Sequence, residues 1–459
     1  MKAKLLTLLL LTIPTTLIWA SEEMPNYKIS YIQETPTEVP YGVQIENDVV
    51  ISWPAELIPA DGRIVLREGI VGIAATAFSK TNLKHIIFPS TLRYIKSEAF
   101  AYCNSLQAIV IPEGTEEIAE GAFYQCHGLI AVSIPSTVKT ISNNAFAYCN
   151  KLHNVQIKEG VTAIGESVFI GCTALKNIQL PGTLNSIGES AFQSCNSLTE
   201  IAIPQNVTEI NSRAFEDCQA LTNVQLSNNL TTIGRYAFKG CNSLQNITLP
   251  TSLKTLDGYA FSACTSLSSI NIPEGLELLG ASVFEGCTSL TTVTLGSGMP
   301  SIHQKAFKDC KALKTIAIPE GVVDIKNYAF QGCDALEQVT LPSTLTEIGL
   351  SAFINCKKLA SVTCNATIPP ILKVNAFRGL PTNKELFVPE NSVNQYQNTP
   401  NWNSFNLSPI TTGIEKVKIQ HSTHTYIYNL KGEYVGTQDK WDALPAGIYI
   451  IGKNKVVKQ

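Results

Sequence analysis

The chain is short of charge. Only 15% of its 459 residues are Asp, Glu, Lys or Arg, well under the roughly 25% of an average soluble domain. With 34 basic and 37 acidic residues the formal charge is −3. That balance excludes a polyelectrolyte tail. It also leaves no basic stripe to displace counterions, so no nucleic-acid partner is expected. Histidine is scarce too: His85, His127, His153, His303, His421 and His424 are all there are. None falls in a zinc-protease spacing and no Cys-x-x-Cys pair occurs, so no metal is expected. G-x-S-x-G, a phosphate loop and a dinucleotide fingerprint are absent. Carboxylates are scattered, and no pair is singled out for acid–base work. The expectation is a non-enzyme without a cofactor.

Long apolar runs are missing as well, except at the start. Lys2 and Lys4, the apolar stretch Leu5 to Ile13 and the small Ala20 have the order of an export signal. No later stretch is apolar for long enough to cross a bilayer, so no transmembrane segment is expected once the leader is removed. The expected location is outside the cell or on its surface.

What the chain has in abundance is repetition. Phenylalanines recur at Phe78, Phe100, Phe123, Phe146, Phe169, Phe192, Phe215, Phe238, Phe261, Phe284, Phe307, Phe330, Phe353 and Phe377, nearly always 23 apart. In the twelve blocks from Phe100 to Phe353, the fourth position is always Cys and the seventh always Leu. The tenth is Ile or Val, the twelfth Ile or Leu except for Cys364, and the nineteenth Ile or Leu. Positions ten and twelve share one face of a strand, because side chains alternate. The Pro that follows in eight blocks stops that strand. The Gly-containing stretch before the next Phe reads as a turn carrying Ala-Phe inward. One block cannot bury its own apolar edge, whereas stacked blocks share a continuous core. The fold class expected is therefore a repeat solenoid, a right-handed coil with one short parallel strand per 23-residue repeat.

These blocks carry a family resemblance. The C-x-x-L-x-x-(I/V)-x-(I/L)-P…I-G-x-x-A-F signature, running from about Ile64 to Phe377, resembles the leucine-rich repeat of BspA-like bacterial surface antigens. Ile51 to Gly72 resembles the irregular opening coil of such proteins. Pro369-Pro370, the LFVPENSV run, Tyr396 and Trp402 to Phe405 resemble their closing cap. The tail, with Tyr428-Asn429-Leu430, Gly432 and Leu444 to Tyr449, reads as a small β-module and resembles the C-terminal sorting domain of type IX secretion cargo. The organisation expected is a leader at 1–20, a linker at 21–50, the solenoid at 51–377, a cap at 378–411 and a sorting-type β-tail at 412–459. The resemblance implies adhesion to an extracellular or host protein.

Thirteen cysteines in an exported chain invite disulfides. Twelve of them sit at one position per coil, so their side chains point in parallel, a poor torsion geometry for bridging. Buried free thiols are expected instead, packing as small hydrophobes.

The outward face of the strand, at the ninth and eleventh positions, is rich in amides and hydroxyls. Asn154, Gln156, Asn177, Gln179, Asn223, Gln225, Asn246 and Thr248 are the candidate binding residues. Among the 24 such positions of the twelve blocks only Glu200 is charged. Two readings stay open. The amides hydrogen-bond one another in ladders and serve the fold, or they form a neutral surface for a partner. Sugar sites favour exposed aromatics, and none of the 24 is aromatic. A protein partner is therefore expected ahead of a glycan, with the chain acting as a monomer.

Overall fold

The structure is a computed structural model that describes residues 35–410 and, beyond them, 426–429, 434–437, 444, 447–451 and 454–458. The expected leader, the first part of the linker after it (21–34) and the start of the tail lie outside the described residues. The chain divides into two units, one ending at Leu407 and one beginning at Ser408.

The first unit is a β-solenoid. Its first ladder is built from the positions around the tenth: Arg63–Val65, His85–Ile87, Ala108–Val110, Ala131–Ile134 and Asn154–Ile157 pair in parallel, in register, coil upon coil. The sequence suggests one strand per coil, and the structure has two. The nineteenth-position Ile or Leu, with the residue before it, forms a second ladder, as in Thr140–Ile141 against Ala163–Ile164. Two residues suffice there because the apolar one is fully buried, as at Ile141 and Ile187, and its neighbour faces out. This ladder opens with an antiparallel hairpin, Gln44–Glu46 with Val49–Ser52. Regular pairing thus starts ahead of Ile51, the expected start of the solenoid.

The Phe turn supplies a third line of bonds. The residues two before and two after the column Phe have positive φ, for example Asn144 (58°) and Tyr148 (59°) about Phe146. Left-handed backbone costs a non-glycine residue about 1–2 kcal/mol. Here it aims alternate N–H groups along the solenoid axis: Asn144 donates to Glu166 at 2.9 Å, Phe146 to Val168 at 3.0 Å and Tyr148 to Ile170 at 2.7 Å. The strain is offset by burial of the ring between them, which contributes roughly 1.5–3 kcal/mol.

Those rings form one stack. Successive members from Phe78 to Phe377 lie 5.0–5.8 Å apart, with planes within 18°. Trp53 closes one end at 5.7 Å. Trp402 and Phe405 close the other, at 5.6 and 5.3 Å from Phe377. Each cap side chain also satisfies its polar atom. Trp402 Nε1 donates to Pro370 O at 2.8 Å, and Tyr396 Oη donates to Ala366 O at 2.8 Å. The first ladder's open edge is covered at the N-terminal end by Thr37, whose N–H donates to Val65 O and whose Oγ1 accepts from Val65 N. Both devices keep apolar coil ends and unpaired strand edges from solvent.

The cysteines are free and buried. Each of the twelve repeat thiols donates to the carbonyl of the column Phe one coil back, at 3.0–3.3 Å. The position therefore needs a small apolar group with one weak donor, which describes a thiol. Burial pushes Cys172 and Cys287 up to about 12.

Just past the first ladder runs a line of carboxylate staples. Glu113, Glu274 and Glu320 accept from the N–H and Oγ of Ser136, Ser297 and Ser343 in the next coil. Glu159 accepts from Gly182 N and Thr183 N.

The second unit contains a four-stranded antiparallel sheet in the order Tyr434–Thr437, Tyr426–Asn429, Gly447–Ile451, Asn454–Lys458. Ile427 is fully buried in it.

Candidate functional site

The first ladder is not continuous. After Asn154–Ile157 the next strand segment, Asn177 to Leu180, keeps a single bridge, Gln156 to Gln179. Pairing resumes with Glu200–Ala202 against Asn223–Gln225. A second interruption falls at Asn246 to Leu249, before Ser269–Asn271, and a third between Thr292–Thr294 and Thr315–Ala317. A regular 23-residue spacing gives no sign of them.

A groove of about 950 Å³ lies over the first interruption. Six of the eight expected binding residues line it: Asn154, Gln156, Asn177, Gln179, Asn223 and Gln225. Asn246 and Thr248 sit at the second interruption and do not reach it. Strand alternation turns these side chains outward. Asn177, Gln179, Asn223 and Gln225 are exposed, while Ile178 and Val224 between them are 8% exposed. At Asn154–Ile157 the alternation weakens, and Val155 is only half-buried, adding an apolar patch to the groove.

The two readings of the amides now separate. Ladder bonding occurs at two places: Ser133 Oγ donates to Gln156 Oε1 at 3.0 Å, and Ser268 and Ser269 hydroxyls donate to Asn246 Oδ1 at 3.2 and 3.3 Å. Among the described residues, the side chains of Asn177, Gln179, Asn223 and Gln225 make no hydrogen bond within the protein. Four primary amides, each with two donors and an acceptor, therefore stand free on a backbone already fixed by the coils around it.

The charges of the groove are few. Lys158 at the rim is paired with Glu113 at 2.9 Å. Glu159 is held below the usual carboxylate range by the Gly182 and Thr183 N–H groups. Glu200 is exposed and has no ion-pair or hydrogen-bond partner among the described residues. The sequence marked Glu200 as the odd charge on the face without naming it as a binding residue; its neutral neighbours were the signal. Beside it Ala202, at an amide-rich position, leaves a gap.

A different surface carries the aromatics. Tyr102, Tyr124 and Tyr148 meet edge to face at 5.6 and 5.8 Å along the Phe turns. Among the described residues no cluster of His, Cys, Asp or Glu could hold a metal, and no helix is long and apolar enough to cross a membrane.

The chain is similar to a leucine-rich repeat protein of Bacteroides ovatus of known crystal structure. Identity is 23% over 79% of this chain and 88% of that one, with a TM-score of 0.56. That likeness bears on the fold alone. Weaker similarities are to a leucine-rich cell surface protein of Faecalibacterium prausnitzii and to the pneumococcal vaccine antigen PcpA. The first has 25% identity over 56% of this chain and 83% of that one, with a TM-score of 0.33. The second has 16% identity over 81% and 96%, with a TM-score of 0.41. No curated protein matches the chain. Residues 71–199, 185–314 and 300–431 each match the family described as BspA type leucine-rich repeat region, six copies. Together these matches cover well over half of the sequence, and the chain belongs to the BspA-type leucine-rich repeat family.

Proposed function

We propose that this is an exported surface protein that binds another protein through the open face of its first ladder and performs no catalysis. The observation that carries the reading is the set of free amides of Asn177, Gln179, Asn223 and Gln225 around a groove of about 950 Å³. A fold that needed these side chains for itself would have used them. The coils that carry them are held by the second ladder and by the bonds of the Phe turn, and at Asn223–Gln225 by the first ladder as well, so little entropy is lost when a partner docks. Display of many copies on a cell would raise effective concentration and turn weak contacts into adhesion. Export is supported by the order of Lys2, Lys4, Leu5 to Ile13 and Ala20. The type IX resemblance of the tail supports passage across an outer membrane.

The test is a full-length Gln179→Arg/Gln225→Arg double variant, assayed with wild type on immobilised extracellular-matrix proteins. Two long charged side chains would fill the groove without touching the core. Wild type should bind a protein of the panel, and the variant should lose at least about tenfold in affinity. Equal binding by a folded variant would move the site elsewhere. A glycan ligand would instead choose the tyrosine row at Tyr102, Tyr124 and Tyr148, since sugars stack on aromatic faces. A glycan array run in parallel, with loss on Tyr148→Ala, would show that. For export, removing residues 412–459 should trap the protein inside the outer membrane; undiminished surface labelling of intact cells would reduce the tail to a structural module.

A further inference from the structure

Within the groove, one coil differs from its neighbours in two ways at once. At the ninth position it carries Glu200 between Asn177 and Asn223. At the eleventh it carries Ala202 between Gln179 and Gln225. Glu200 and Ala202 are in register with Asn223 and Gln225 on the adjoining strand, and both face out. The methyl group of Ala202 leaves a notch between Gln179 of the coil before and Gln225 of the coil after, both of which line the groove. Beside the notch stands the one carboxylate on the regular ladder face, unpaired among the described residues.

We propose that this notch takes the guanidinium of an arginine side chain presented by the protein partner. The inference rests on the open-face reading above and names what that face recognises. A guanidinium is planar and offers two parallel N–H bonds to one carboxylate, which Glu200 supplies. Its remaining N–H groups need neutral acceptors to the sides, which the amide oxygens of Gln179 and Gln225 provide. A lysine ammonium would meet the carboxylate as a point charge and leave one glutamine unused. A divalent cation is served poorly by a single carboxylate, since calcium takes six to eight oxygens. The face is otherwise neutral, so the arginine fixes position while the amides read what surrounds it.

The test uses two end-capped pentapeptides, acetyl-TVRVT-amide and the same peptide with citrulline in place of arginine. Citrulline keeps the planar shape and removes the charge. Binding to the full-length protein is followed by NMR or calorimetry. The arginine peptide should bind at least about tenfold more tightly than the citrulline peptide. Glu200→Gln should erase that difference without changing the melting temperature, and Ala202→Leu should abolish binding of both peptides by filling the notch. Equal binding of the two peptides to wild type, or an unchanged preference in Glu200→Gln, would overturn the proposal. Its failure is separable from that of the open-face reading. If matrix-protein binding is lost in Gln179→Arg/Gln225→Arg but intact in Glu200→Gln, the face still binds and the arginine assignment is wrong.

Discussion

Two strips run the length of this solenoid, and they are built on opposite plans. Along the Phe turn every coil is nearly the same: a Phe with rings 5.0–5.8 Å from the next, and a Cys donating to the Phe carbonyl one coil back. Along the outward face of the first ladder the residue type changes along the stack, from Asn154 to Glu200 to Thr292, although three coils share the Asn-x-Gln pair. The first strip is buried and each member completes its neighbour, so any departure is felt on both sides. The second is exposed and its members are largely independent, so the coil tolerates change there. Uniformity marks what the fold requires, and variation marks what it leaves available for recognition.

The widest way to break the uniform strip is to ionise it. Burial raises the thiols, with Cys172 and Cys287 pushed up to about 12 from an ordinary 9.0. The folded state then holds protons that the unfolded chain has already released. Stability is intact below about pH 9 and is lost as pH rises toward 12, by up to about 1.4 kcal/mol per pH unit for each thiol. Melting temperature against pH should fall steeply above 9 without reductant or oxidant. A flat profile to pH 11 would show that the thiols are not sealed inside.

A single ring tests the same strip locally. Phe215→Ala, in the middle of the stack, should cost about 3–5 kcal/mol by urea denaturation. Cys218→Ala removes one weak donor and little volume, and should cost about 1–2 kcal/mol. Titration should find the thiols unreactive until the protein is unfolded; reactive thiols in the native protein would contradict the burial of the column.

The carboxylate staples sharpen the comparison, being exposed yet structural. Hydrogen bonds from Lys158 and then Ser136 hold Glu113 below the usual carboxylate range, as those from Ser297 hold Glu274, those from Ser343 hold Glu320, and those from Gly182 and then Thr183 hold Glu159. For a depressed carboxyl, the stabilisation is present above its ordinary value and disappears as pH falls through the folded one. A small loss of melting temperature below about pH 4.5 is expected, reduced in Glu320→Gln. An equal acid loss in the variant would assign it to other groups.

The uniform strip was readable in the sequence because a repeat exposes its own constraints. Phe, Cys, Leu and the tenth and twelfth positions announce a buried face by never changing. The second ladder at the nineteenth position was not, since two residues are too short to show alternation. Nor were the left-handed residues at Asn144 and Tyr148, which share no residue type with their counterparts Ser190 and Ser194. The thiol's carbonyl partner lies 26 residues back, a distance no local pattern reveals. At the candidate site, the amides were visible and the interruption of the ladder at Asn177 and Gln179 was not, because the 23-residue spacing runs through it unchanged.

The most direct test of the division between the strips is one pair of urea titrations, on Phe215→Ala and on Gln179→Ala/Gln225→Ala. The first should lose about 3–5 kcal/mol. The second, with no bond of its own to lose, should stay within about 0.5 kcal/mol of wild type. Comparable losses in the two variants would mean that the amides serve the fold after all, and that the open face is not free for a partner.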